Sequence, residues 1–293
     1  PRTAPARGAL AVPDTIRVRH NGRVAHVPLD TYAAIVALSE LAPGAEPAAV
    51  AGALYEAQII VARTYAVSRR GRHGAEGFDL CDATHCQRYE SARLDKARWA
   101  QAAQAIAART RRQVLAYSGA PAEAVFHADC GGHSADSRDV WGTARPYLIA
   151  KPDTDGNPHR QWESTLAREA VLEALRADRR TRVDGPLRDL VITQKDRSGR
   201  AARIRIEGRT TLDVGGDVFR AVISAGLGIR ALPSTRFSWT RGRDGWQVTG
   251  TGFGHGVGLC QAGALARARK GRTAAEILRF YYPGAIITTG AQR

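Results

Sequence analysis

Methionine is absent from the 293 residues, cysteine occurs four times and aromatic residues make up only 6%. No apolar run approaches the roughly 18 residues that span a bilayer, so the sequence holds no transmembrane segment. With no methionine and an opening Pro1, the natural start is expected to lie upstream. The lack of a signal peptide within the chain therefore says nothing about location. Four cysteines are too few for a small disulfide scaffold but allow one metal site plus one bridge. The scarcity of aromatics argues against a nucleic-acid surface built from interleaved basic and aromatic side chains. What is plentiful is positive charge, with a formal balance of +15 carried mostly by arginine. Such a balance favours a polyanionic partner, whether nucleic acid, anionic lipid or cell-wall polymer. The competing reading is an arginine-rich solvated surface, and stretches such as Ala177 to Arg182 read as helix ends and turns. Hydrophobic and charged fractions of 44% and 24% exclude wholesale disorder.

The chain is long enough for one large core or two modest ones. Residues 1–14 are rich in Ala and Pro and are expected to be a flexible N-terminal segment. Asn21-Gly22 between alternating runs predicts a hairpin. Asp30 can cap a helix that ends at Pro43-Gly44, and a second helix is predicted from Pro47 to Arg70. A polar loop over 71–91 precedes a predicted helix over 93–110 and strands near Gln113–Tyr117 and Ala124–Ala128. Beyond it, 164–178 reads as an amphipathic helix, with strands near Leu190–Thr193 and Arg203–Glu207, a short helix near Asp217–Ser224 and a hairpin from Arg236. With no βαβ alternation and no repeat, the fold class is α+β: helices and antiparallel hairpins around a central helix. Residues 15–290 are expected to form the main domain, with 164–235 as a small satellite subdomain.

Three features carry chemistry. The first is G-T-G-F-G-H-G-V-G-L-C-Q-A-G-A, Gly250 to Ala264, whose glycines let backbone approach a ligand and lead into a helix predicted over 258–270. A tight structural turn with a surface histidine is the alternative. The second is the set His73, Cys81, His85 and Cys86, two imidazoles and two thiolates suited to tetrahedral zinc. Four protein ligands would make that zinc structural, and a Cys81–Cys86 disulfide with two solvated histidines is the competing reading. The third is Glu40, which at helical spacing shares a face with Tyr32, Ala33, Val36 and Ala37. Burial there would raise its pKa toward what a general acid requires, while a glutamate at the helix end pointing to water is the alternative that spacing leaves open. Glu46, in the Pro-Gly loop, and Glu56, expected to face solvent, are the neighbouring competitors. Asp129 and Asp136, flanking Gly131-Gly132, read as turn-capping residues.

Six motifs in order then carry a resemblance: A-Q-I-I-V-A-R-T-Y-A (Ala57–Ala66), F-D-L-C-D-A-T-H-C-Q-R-Y (Phe78–Tyr89), F-H-A-D-C-G-G-H-S (Phe126–Ser134), V-W-G…P-Y-L (Val140–Leu148), G-H-G-V-G-L-C-Q-A-G-A and F-Y-Y-P-G (Phe280–Gly284). Together they resemble the stage II sporulation protein D family, amidase enhancers included, over about residues 15–290. The resemblance implies a bacterial, extracytoplasmic lytic transglycosylase that cleaves the MurNAc–GlcNAc bond of denuded peptidoglycan strands and leaves 1,6-anhydroMurNAc ends. It implies Glu40 as the catalytic acid and zinc in the His73, Cys81, His85 and Cys86 loop. Arg63, Thr64, His127, His255 and Gln261 are the expected substrate-binding residues, with Glu40 or a substrate carbonyl as the partner of Arg63. A structural ion pair is the alternative for Arg63, and a structural role through bonds to backbone groups is the alternative for His127 and His255. Other cell-wall hydrolases are possible partners; nucleic acid is not expected. A non-catalytic, glycan-binding activator of an N-acetylmuramoyl-L-alanine amidase is the alternative. Cys130 and Cys260 depart from the serine or threonine usual in the family, and a disulfide between them is the expectation.

Overall fold

The computed structural model describes residues 10–154 and 159–292. Its helices and small, mostly antiparallel sheets make an α+β fold. The chain divides into two compact units, Pro1–Val125 with Ala264–Arg293, and Phe126–Gly263. The second unit extends beyond the 164–235 segment at both ends. Of the N-terminal stretch, residues 1–9 lie outside the described residues, and Ala11–Val12 form a short parallel strand with Ala291–Gln292.

In the first unit, strands Thr15–His20 and Arg23–Pro28 form the hairpin, with Asn21 and Gly22 at φ 50° and 76°. Positive φ at both turn positions is the type I′ requirement, which Asn-Gly meets at little steric cost. Helix α1, Leu29–Glu40, follows without a gap, and every residue from Tyr32 to Ser39 is buried. A helix apolar on all sides is buried on all sides. Pro28 holds the N-cap position, so Asp30 does not cap this helix; it lies in the first turn. Helix α2, Ala48–Ser68, packs beside α1 and is buried from Ala57 to Ala66. The helix expected over 93–110 is broken into Arg93–Lys96 and Ala100–Arg109 by extended backbone at Ala97. Trp99, beyond the break, donates its indole N–H to the carbonyl of Gly44. A helix over Ala274–Tyr281, not anticipated, is started by a reciprocal capping box between Thr273 and Glu276.

In the second unit, strand Gly245–Thr251 pairs with Gln161–Ala167 and Phe237–Arg241, and Ala201–Glu207 lies between Asp189–Lys195 and Thr211–Gly215. Helices Arg168–Ala177 and Gly216–Leu227 complete a core that includes Leu175, Ile204, Phe219 and Trp246. The helix expected from 164 starts only at Arg168, because the period-two pattern of Gln161–Ala167 pairs as a strand. A short parallel pair, Phe126–His127 with Leu259–Cys260, sets His127 opposite Cys260.

Candidate functional site

Glu40 is the last residue of α1 and is half-buried. Desolvation raises the pKa of its carboxyl, with the nearby Glu90 adding to the effect and the Arg88 amide and charge opposing it. The helix C-terminus, where free carbonyls converge, also disfavours an anion. A segment following the cysteine loop is pinned against this end of α1. Tyr32 donates its hydroxyl to Oε1 of Gln87, the Arg88 N–H donates to Oε1 of Glu40 and the Glu90 N–H donates to Oγ of Ser39. Glu90 itself is held by Arg88 and Arg93, which lower its pKa. Two neighbouring carboxyls are thus pushed apart, one toward the acid form and one toward the anion. Glu46 and Glu56, the competitors, sit in ion pairs with Arg269 and Arg109.

The loop that ends at this segment brings its four donors together, with one ligand atom from each of His73, Cys81, His85 and Cys86 within 4.8 Å of the others. Pairing of Leu80–Cys81 with the hairpin strand Thr15–His20 anchors Cys81. His73 Nε2 lies 3.2 Å from His85 Nε2 and 3.4 Å from Cys86 Sγ, and Cys81 Sγ lies 3.3 Å from His85 Nε2. Tetrahedral zinc with ordinary Zn–N and Zn–S bonds separates its ligands by about 3.3–3.8 Å, so the donor set fits such an ion. Glu76 accepts from His73 Nδ1 at 2.6 Å, which leaves Nε2 as the donor atom, as a carboxylate behind a metal-bound histidine does. Cys81 and Cys86 are thiols rather than a disulfide, and burial pushes the Cys86 thiol up to about 11. Glu76 escaped the sequence reading, although its place three residues after His73 was the available signal.

Arg63 and Thr64, expected in a groove, are both wholly buried and bonded within the fold. Arg63 is fully buried, and its Nε donates to Oδ1 of Asp30 at 2.7 Å; its terminal nitrogens donate to the carbonyls of Gln113 and Ala107. Asp30, not Glu40, is its partner, because a buried guanidinium needs both a counter-charge and acceptors. The Thr64 hydroxyl donates to the carbonyl of Ile60 and accepts the Leu115 N–H. A 500 Å³ cavity of this unit is lined by Asp30, Thr31, Ala107 and Arg111. It lies at the N-terminal end of α1, about 15 Å along the helix from Glu40.

In the second unit, His127 and His255 have ring centroids 5.3 Å apart and spend their ring N–H groups on backbone. His127 Nδ1 donates to the carbonyl of Val257 at 3.1 Å; His255 Nε2 donates to that of Phe126 at 2.9 Å, while its Nδ1 accepts the Val257 N–H. Burial, with Arg220 and Arg200 nearby, pushes the His255 pKa down to about 3, and burial lowers His127 as well, so both rings are neutral. Both hold the glycine turn through these bonds; His127 is buried and His255 is partly exposed. Gln261, also buried, opens the helix Gln261–Arg269. The expected Cys130–Cys260 disulfide is absent: both are thiols. The Cys130 N–H donates to Cys260 Sγ at 3.2 Å and Cys130 Sγ donates to Oδ2 of Asp153 at 3.3 Å, so each sulfur has another partner. Asp136 caps the helix Ser137–Trp141, and Asp129 accepts from Gly131, His159 and Arg160.

No helix among the described residues is long and apolar enough to cross a membrane. Residues 19–117, which hold Glu40 and all four loop donors, match the family model described as stage II sporulation protein, and residues 148–258 match a domain of unknown function. The chain is 28% identical to the stage II sporulation protein D of Bacillus subtilis over 92% of its own length and 76% of that protein. It is 25% identical to the amidase enhancer of Bacillus subtilis, covering 86% of this chain and 40% of the relative. An uncharacterized protein of Brachyspira hyodysenteriae is 31% identical over 78% of this chain, which spans 59% of that relative. Residues 19–117, with the Glu40 helix and the cysteine loop, thus form a stage II sporulation protein domain, and the chain is similar over most of its length to relatives that include stage II sporulation protein D and the amidase enhancer.

Proposed function

We propose that the protein is an extracytoplasmic peptidoglycan lytic transglycosylase with Glu40 as its single acid and base. The observation that carries this reading is the half-buried Glu40 carboxyl, its pKa raised by desolvation and one oxygen oriented by the Arg88 N–H. A general acid must hold its proton near neutral pH, and burial favours that form. In the reaction, Glu40 gives its proton to the glycosidic oxygen as the bond from the MurNAc anomeric carbon breaks. The resulting carboxylate takes the proton of the sugar's 6-hydroxyl as that oxygen closes on the anomeric carbon. Ordinary glycosidases need a second carboxylate to activate water or to act as nucleophile. Here the substrate supplies the nucleophile, and Glu90, bound to two arginines, is left as a fixed anion. The net charge of +15 is in keeping with an anionic glycan.

Zinc in the His73, Cys81, His85 and Cys86 set belongs to the same reading. It would supply no chemistry at the glycosidic bond: four protein donors close its shell. Those residues would instead stiffen the loop whose continuation through Gln87, Arg88 and Glu90 holds the end of α1.

A second reading, a non-catalytic activator of a cell-wall amidase, is favoured by the likeness to the amidase enhancer. Digestion of purified, denuded glycan with zinc present separates the two. Wild type should release 1,6-anhydro products by mass spectrometry and Glu40→Gln should not. Failure of wild type to release them, with stimulation of an amidase unchanged in Glu40→Gln, would establish the activator instead.

A further inference from the structure

The Cys/His loop is not the only place where soft donors converge. One ring nitrogen of His127 and the sulfurs of Cys130 and Cys260 all lie within 4.8 Å of one another in the second unit. The parallel pairing of Phe126–His127 with Leu259–Cys260 sets two of them opposite each other. The glycine turn that begins at Gly131 follows the third directly. The cysteines are wholly buried and His127 is 5% exposed, so no organic ligand reaches them.

Three details set this cluster apart from an ordinary packed triplet. His127 commits Nδ1 to the carbonyl of Val257, and its Nε2 is buried with no hydrogen-bond partner. A metal-binding imidazole has that same tautomer, fixed by a backbone carbonyl, with the opposite lone pair open. Cys260 Sγ accepts two backbone N–H groups, from Cys130 at 3.2 Å and Gly263 at 3.3 Å, at the start of the helix Gln261–Arg269. The buried guanidinium of Arg200 donates to the carbonyls of Cys130 at 2.7 Å and His133 at 3.0 Å, placing a positive charge beside the sulfurs. The adjoining set Asp129, Cys130 and His159 differs: both His159 nitrogens are already bonded, to Asp129 and to the carbonyl of Asp153.

We propose that His127, Cys130 and Cys260 form a second metal site, distinct from the loop set, for a thiophilic closed-shell cation, either zinc or copper(I). Two thiolates and an imidazole are soft and borderline donors that select these ions over magnesium or calcium. Three donors satisfy copper(I) as they stand. Zinc needs a fourth donor: Asp153 Oδ2 lies 3.3 Å from Cys130 Sγ but outside the mutually close set, and would have to shift to complete the shell. Binding releases the thiol protons to solvent, so no oxidant or reductant is needed. The proposal does not depend on the catalytic reading of Glu40.

Native mass spectrometry tests it, because compact charge states identify folded molecules and their mass counts bound ions. Wild type, Cys130→Ser, Cys260→Ser and the double variant Cys81→Ser/Cys86→Ser are loaded with zinc in one arm and with copper(I) under reductant in the other. Compact wild type should carry one ion more than compact Cys130→Ser or Cys260→Ser in at least one arm. The double variant should still hold one ion, which separates this site from the loop. An ion count equal in wild type and Cys260→Ser would overturn the proposal. So would a wild-type mass two hydrogens short, with Cys130 and Cys260 joined. Should neither serine variant give compact ions, the double variant decides: one ion retained supports the site, none retained sinks it.

Discussion

The backbone N–H of Arg88 donates to Oε1 of Glu40 at 3.0 Å, which ties the carboxyl at the end of α1 to the segment leaving the cysteine loop. Glu40→Gln keeps an acceptor for that N–H and removes only the proton that the proposed reaction would transfer. Turnover on denuded glycan should fall by about 10²–10⁴-fold, with glycan binding retained. The raised pKa gives the pH dependence its sign: the acid form is active, so the rate should decline as pH rises through the Glu40 ionisation.

The same shift has a consequence for stability. A carboxyl whose pKa is higher in the folded state stabilises the fold only below its unfolded pKa, and loses that contribution as pH climbs through the folded one. Glu40→Gln should therefore melt at a higher temperature than wild type at neutral pH, and the difference should close in acid. A lower melting temperature at neutral pH would contradict the desolvation of Glu40.

Removing metal from the His73, Cys81, His85 and Cys86 set should loosen the segment that borders Glu40. A strong chelator is expected to reduce both melting temperature and glycan cleavage, and added zinc to restore them. Glu76→Ala, which frees His73 Nδ1, should weaken zinc binding about 10–100-fold in a competition titration while sparing all four donors.

Arg63 is wholly buried, and its counter-charge is the partly exposed Asp30. Arg63→Ala removes the main counter-charge of Asp30, leaving Arg111 at 3.7 Å, empties a buried site and strands the carbonyls of Gln113 and Ala107, and should cost about 3–5 kcal/mol in denaturant unfolding. Asp30→Asn should cost a comparable amount, because it keeps an acceptor for Nε but leaves the buried guanidinium without its counter-charge. Any Arg63 variant that stays folded should bind glycan as wild type does, which a groove residue would not.

Gly256 sits at φ +84°, and a Cβ there would come within 2.3 Å of the Arg200 guanidinium. Gly256→Ala should destabilise the protein by about 1–3 kcal/mol from backbone strain and crowding. Urea unfolding checks it. The glycines around His255 thus admit a buried arginine of this same chain, where the sequence suggested approach to a ligand.

What the sequence determined by itself was local. Asn21-Gly22 specified its hairpin because only that dipeptide type takes two positive φ angles cheaply, and the unbroken apolar run of α1 demanded burial on every side. The four loop donors were legible because they lie within 14 residues of one another, and two of the ordered motifs fall in the segment that matches the stage II sporulation protein model. Tertiary structure alone decided the partners. Asp30 lies 33 positions from Arg63, Arg88 lies 48 from Glu40, and Cys260 lies 130 from the amide of Cys130. Periodicity reports which face a residue occupies, not which distant group meets it there. For that reason spacing left Arg63 and His255 open between a groove and a structural bond, and the fold supplies the bonds, to Asp30 and to the Phe126 carbonyl; Glu40 stands at the end of the helix that its spacing indicated, with Arg88 as a partner the sequence did not name.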